Sequence, residues 1–141
     1  MQWIKVISLS LIVGLSMIPS AYANVVVVTH PDNKNMVDLV EIRRMFLGKT
    51  KTWDDGSKVQ PADLDAGQPG RDTFLKQVVR KSESSLNSYW ARMLFSSKGK
   101  PPRQFVSPMA MQEWLIKTPG AIGYVDQADL NPSVKVLLVL E

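Results

Sequence analysis

The 141-residue chain contains no cysteine and a single histidine, His30. Without cysteine there can be no disulfide, no thiol nucleophile and no thiolate-held metal. One histidine and no cysteine leave no Ser-His-Asp or Cys-His set. A metal would have to be held by carboxylates alone, and Asp54-Asp55 reads as a solvated turn. No spacing of carboxylates selects a glycosidase pair. Gly48-Lys49-Thr50 ends like a phosphate-binding loop, but the first glycine such a loop requires would stand at position 43, which is Arg43. No repeat or low-complexity tract is present. These absences exclude the familiar enzyme classes and imply neither a catalytic group nor a cofactor.

Long apolar runs are also missing. The longest, Val6 to Ile18, covers about 13 residues, short of the ~20 that a membrane span needs. It follows Lys5 and precedes Ala21-Tyr22-Ala23, so residues 1–23 read as a signal peptide cleaved after Ala23. The chain would then be periplasmic and not membrane-spanning, with residues 24–141 forming one domain. Loss of Lys5 takes the formal net charge from +4 to +3. A pI near 9.4 is compatible with nucleic acid. The basic stretch Lys98 to Arg103 has no interleaved aromatics, however, so nucleic acid is not expected. A mildly basic surface suits small anions or envelope polymers better, and Lys98 to Arg103 reads as a solvated, proline-stiffened loop, the alternative being an anion and partner contact.

What is present is an alternation of strands and helices. Val25-Val26-Val27-Val28 suits a strand buried on both faces. Asp38 and Glu41 predict a capping box, Val37 and Ile42 a hydrophobic staple, and Gly48 a stop, so the first helix starts after Asp38. Lys58 to Leu64 predicts a short strand with Pro61 near its edge or end. Arg71 to Arg80 reads as helix. Ser82 caps the next one, whose Leu86, Tyr89, Trp90, Met93 and Leu94 form an inward stripe. Ser107-Pro108 opens the last helix, with Met111, Trp114 and Leu115 inward. Thr118-Pro119-Gly120 ends it, Ala121 to Val125 is a buried strand, and Val134 to Leu140 predicts a second strand of buried type. The expected fold is α/β, a single three-layer lobe with a mixed, mostly parallel sheet flanked by helices.

Two places could bind an anion. At the start of the helix after Gly67-Gln68-Pro69-Gly70, free amides carry positive partial charge. Gly70 would allow close approach, Arg71 a bidentate grip and Thr73 a hydroxyl donor. Asp72 would either border such a site or simply complement the helix dipole while Arg71 lies in solvent. Thr29 and His30 follow the first strand at its C-terminal end, where open α/β sheets place ligands; the competing reading is an ordinary turn.

The segment Thr118-Pro119-Gly120-Ala121-Ile122-Gly123-Tyr124-Val125 closely resembles one in the periplasmic phosphate-binding proteins of ABC importers. Leu39 to Trp53, with Phe46, Leu47-Gly48-Lys49 and Trp53, resembles that family's Phe-x-Gly-Lys-x-x-x-Trp-like signature. Asp72-Thr73-Phe74 falls where the family starts its ligand-binding helix, and Val25 to Asn33 looks like the opening of its second lobe. The family's Ser-Gly-Thr at the binding helix is absent here, and Asp65 and Asp72 would repel a dianion. The resemblance implies a short, one-lobed, non-enzymatic solute-binding-type protein. Its partners would be a phosphate-like oxyanion and ABC importer subunits or another envelope protein. The alternative is an envelope interaction or scaffold module that has lost its ligand.

Overall fold

The computed structural model describes residues 24–141. The leader read in residues 1–23 lies outside the described residues. The chain forms β1 (Val25–Thr29), α1 (Leu39–Phe46), β2 (Gln60–Leu64) and α2 (Arg71–Phe74), the last continued by a π-helical turn (Leu75–Val79). There follow α3 (Glu83–Phe95), β3 (Arg103–Phe105), α4 (Pro108–Ile116), β4 (Ala121–Asp126) and β5 (Lys135–Val139).

The strands make one five-stranded sheet in the order β3-β2-β4-β1-β5. The sheet is mixed, as expected, but its four pairings are evenly divided and not mostly parallel. Strand β2 runs parallel to β3 and β4, whereas β1 runs antiparallel to both β4 and β5. Alternation along β4 fixes the layers. A Cβ on Gly123 would lie 2.6 Å from Met111 Sδ of α4. The next residue, Tyr124, stacks at 3.8 Å on Phe74 of α2 and meets Phe46 of α1 edge-on at 6.2 Å. Helix α4 therefore covers one face and α1 with α2 the other. With both faces covered, all five residues of β1 are buried.

Local signals set the helix starts. The side chains of Asp38, Ser82 and Ser107 each accept from the amide three residues on, capping α1, α3 and α4. Glu41 does not close the reciprocal half of the capping box; it lies 3.8 Å from Arg44.

Three elements differ from the sequence reading. Strand β5 is a sheet edge with Val136 and Val139 exposed, since among the described residues no strand lies beyond it. On α3, Leu86 and Trp90 are buried as expected, but Leu94 faces outward. Arg103, taken for the end of a loop, opens β3, which adds parallel to β2 through Ala62, Asp63 and Leu64.

The rim of β2 and β4 as a candidate functional site

Strand directions decide which candidate residues can meet. Gly70 packs beside Val25 and Asp126: a Cβ there would be 3.2 Å from Val25 Cγ2 and 3.4 Å from the Asp126 amide. Val25 pairs with Asp126, and Thr29 pairs with Ile122, four residues farther along. At ~3.3 Å per residue this places Thr29 and His30 about 13 Å away along the strands, at the opposite rim. The antiparallel course of β1 therefore keeps the two candidate places apart, and they cannot act on one small ligand.

Thr29 is fully buried. Its hydroxyl donates to Ala121 O at 2.7 Å and accepts from Asn33 Nδ2 at 2.8 Å. His30 Nδ1 accepts from the Asp32 amide. Both residues are engaged in holding the turn that follows β1.

At the other rim, Gly70 adopts φ 85° and leads into α2. Arg71 is only 5% exposed and points into the protein. Its Nε and Nη2 grip Glu83 as a fork at 2.6 and 2.8 Å, while Nη1 reaches Asp63 Oδ1 at 2.8 Å and donates to Leu64 O. Asp63 is also buried; it accepts from the Tyr124 hydroxyl and the Leu64 amide. Four of the five guanidinium N–H donors are thus engaged within the protein. The reading of Arg71 as a bidentate ligand grip, or as a solvated side chain, gives way to that of a buried counterion. The physical cause is Asp63, a carboxylate inside a covered strand that must be paired.

The electrostatics agree. Glu83 holds Arg71 protonated far above its ordinary range, with Asp63 adding to the effect against the opposing cost of burial. The hydrogen bond from Arg71 pulls Glu83 below the usual carboxylate range. Burial, reinforced by the Asp63 charge, pushes the Tyr124 phenol upward, so it remains a donor.

The outer side of this rim keeps some binding capacity. Among the described residues no protein group accepts from the Asp72 or Thr73 amides. Asp72 is exposed and Thr73 half-buried. Asp72 borders an open cleft of about 430 Å³, lined also by Lys76, Arg80, Lys81 and Glu83. Sequence reasoning missed Asp63 and Glu83 as partners of Arg71, and Tyr124 as the donor to Asp63. The available signal was Asp63 itself, an acid at a buried strand position. Among the described residues no group of three or more potential ligands could hold a metal ion, and no helix is long and apolar enough to cross a membrane.

The resembling segment gains a structural account. The Thr118 hydroxyl donates to Trp114 O, and Gly120 O accepts from Trp53 Nε1 and the Gln60 amide. Gly123 admits Met111, and Tyr124 completes the Arg71 network.

A family model described as a PBP superfamily domain matches residues 13–136. No curated protein matches the sequence. Among solved structures, a protein from Clostridium perfringens described as a phosphate ABC transporter substrate-binding protein, with bound phosphate, is similar with a TM-score of 0.65 at 18% identity. An ABC-type phosphate transport receptor from Vibrio cholerae is similar with 0.64 at 14%, and PstS from Borrelia burgdorferi with 0.61 at 13%. In each case 81% of this chain is aligned, but it spans only 44, 45 and 46% of the respective relative. At such identities the likeness establishes the fold.

Proposed function

This chain belongs to the PBP superfamily, and from that premise we propose that it is an exported, non-enzymatic substrate-binding-type lobe, akin to those of phosphate importers, that works through an envelope partner. Residues 1–23 act as the export signal, and residues 24–141 function in the periplasm. The partner is an ABC importer subunit or another envelope protein that supplies what a single lobe lacks.

The observation that carries this reading is the burial of Arg71 between Asp63 and Glu83. An oxyanion at this rim would have to break that network before gaining the guanidinium. Isothermal calorimetry of the isolated protein against phosphate and sulfate should therefore give no binding heat, and crosslinking in intact cells should recover an envelope partner. Micromolar phosphate binding by the isolated protein would refute the dependence on a partner.

A second reading rests on the unpartnered Asp72 and Thr73 amides. A small oxyanion could sit on these amides and the Thr73 hydroxyl without Arg71. It predicts weak phosphate heat that vanishes in Thr73→Val and survives in Lys98→Glu.

A further inference from the structure

The tip of α3 presents two adjacent large apolar side chains to solvent. Phe95 is 95% exposed and Leu94 54% exposed. Between Glu83 and Glu113 the chain contains no acidic residue, while Arg92, Lys98, Lys100 and Arg103 lie within that interval. Among the described residues none of these four cations is in an ion pair. Arg103 is partly occupied, lying over the rings of Phe105 and Trp114. Arg92, Lys98 and Lys100 are exposed.

The tip is also held in shape. The Ser97 amide donates to Leu94 O and the Lys98 amide to Met93 O, the paired closure of a Schellman motif. Ser97 takes the left-handed position at φ 56°. Behind the turn, Gly99 packs on Met93 and Trp90, which anchor it to the body. The closure leaves Leu94 and Phe95 outside and fixes them there, so little order remains to be imposed on docking.

We infer that this tip docks on an anionic lipid surface. Phe95 and Leu94 enter the boundary between headgroups and acyl chains, while Arg92, Lys98 and Lys100 stay at the level of the lipid phosphates. The apolar pair alone would suit many partners. Its setting among unpaired cations, with no nearby acid in the sequence, selects a negatively charged surface. The inference is independent of any solute bound at the β2–β4 rim.

The test is cosedimentation with vesicles of phosphatidylcholine alone or mixed with phosphatidylglycerol. Full-length protein is used as the producing cell leaves its N-terminus; since residues 1–23 are common to all variants, differences between variants report the tip. The mixed vesicles should bind the protein, and added salt should weaken the binding. Phe95→Ser should lower the partition coefficient about tenfold or more. Lys98→Glu with Lys100→Glu should lower it by at least ~25-fold, about fivefold for each cation lost. Circular dichroism spectra matching the parent will show that the variants are folded. Equal binding to both vesicle types, or unchanged binding by Phe95→Ser, would overturn the inference. So would absence of vesicle binding with a photocrosslinker at position 95 capturing a protein.

Discussion

Replacing Arg71 by Met separates a buried counterion from a ligand-gripping side chain. Arg71→Met keeps a long unbranched chain and removes the charge. It leaves Asp63, which is 4% exposed, with donors from Tyr124 and Leu64 but without a cation. It also removes the donor to the Leu64 carbonyl. Glu83 returns to water at small cost, because its side chain is already 40% exposed. Breaking a buried pair by removing one partner costs about 3–5 kcal/mol. The donors Asp63 retains favour the lower half, about 3–4 kcal/mol, a large share of the ~5–15 kcal/mol typical of a domain. For a domain of this size that corresponds to a fall in Tm of roughly 12–16 °C, read by circular dichroism melting. Acid should narrow the difference. Glu83 has a folded pKa below its ordinary 4.5, so its contribution is full above that value and lost as pH falls through the folded one. The variant has no such contribution to lose. A melt within ~2 °C of the parent would refute the buried-counterion account. Unchanged stability together with loss of phosphate heat would restore Arg71 to the binding site.

Four further outcomes are expected. Gly120→Ala should destabilise by about 3 kcal/mol or more, because a Cβ at φ 81° would lie 2.1 Å from Lys58 O. Gly123→Ala, whose Cβ would meet the flexible Met111 side chain at 2.6 Å and Leu115 Cδ1 at 3.3 Å but no backbone, should cost about 1–2 kcal/mol, and urea midpoints will rank the two. Ser97→Gly should stabilise by about 0.5–1 kcal/mol in the same assay, since glycine relieves the left-handed backbone at that turn. Tyr124, raised by burial, contributes stability that is full below its ordinary value of 10 and lost as pH rises through the folded one. Ultraviolet titration of the Tyr22→Phe, Tyr89→Phe double variant should accordingly show the Tyr124 phenolate only as the protein unfolds in base; a reversible titration near pH 10 in the folded state would contradict that environment.

Features governed by a few neighbouring residues were legible in the sequence. The side chains of Asp38, Ser82 and Ser107 cap helices because each cap needs only an amide three residues away. Likewise β1 is four valines and a threonine that neither solvent nor a half-covered sheet would suit. The resemblance drawn from Thr118 to Val125 led to the right superfamily, because that stretch carries the helix-to-strand junction.

Tertiary structure alone decided strand direction, and with it the candidate site. Whether β1 lies parallel or antiparallel to β4 depends on pairing across the sheet, and nothing within Val25–Thr29 encodes it. Once antiparallel, it carries Thr29 and His30 to the rim opposite Gly70. The fate of Arg71 was likewise set by residues on β2 and α3, because a charge inside a protein answers to whichever opposite charge the fold brings within reach.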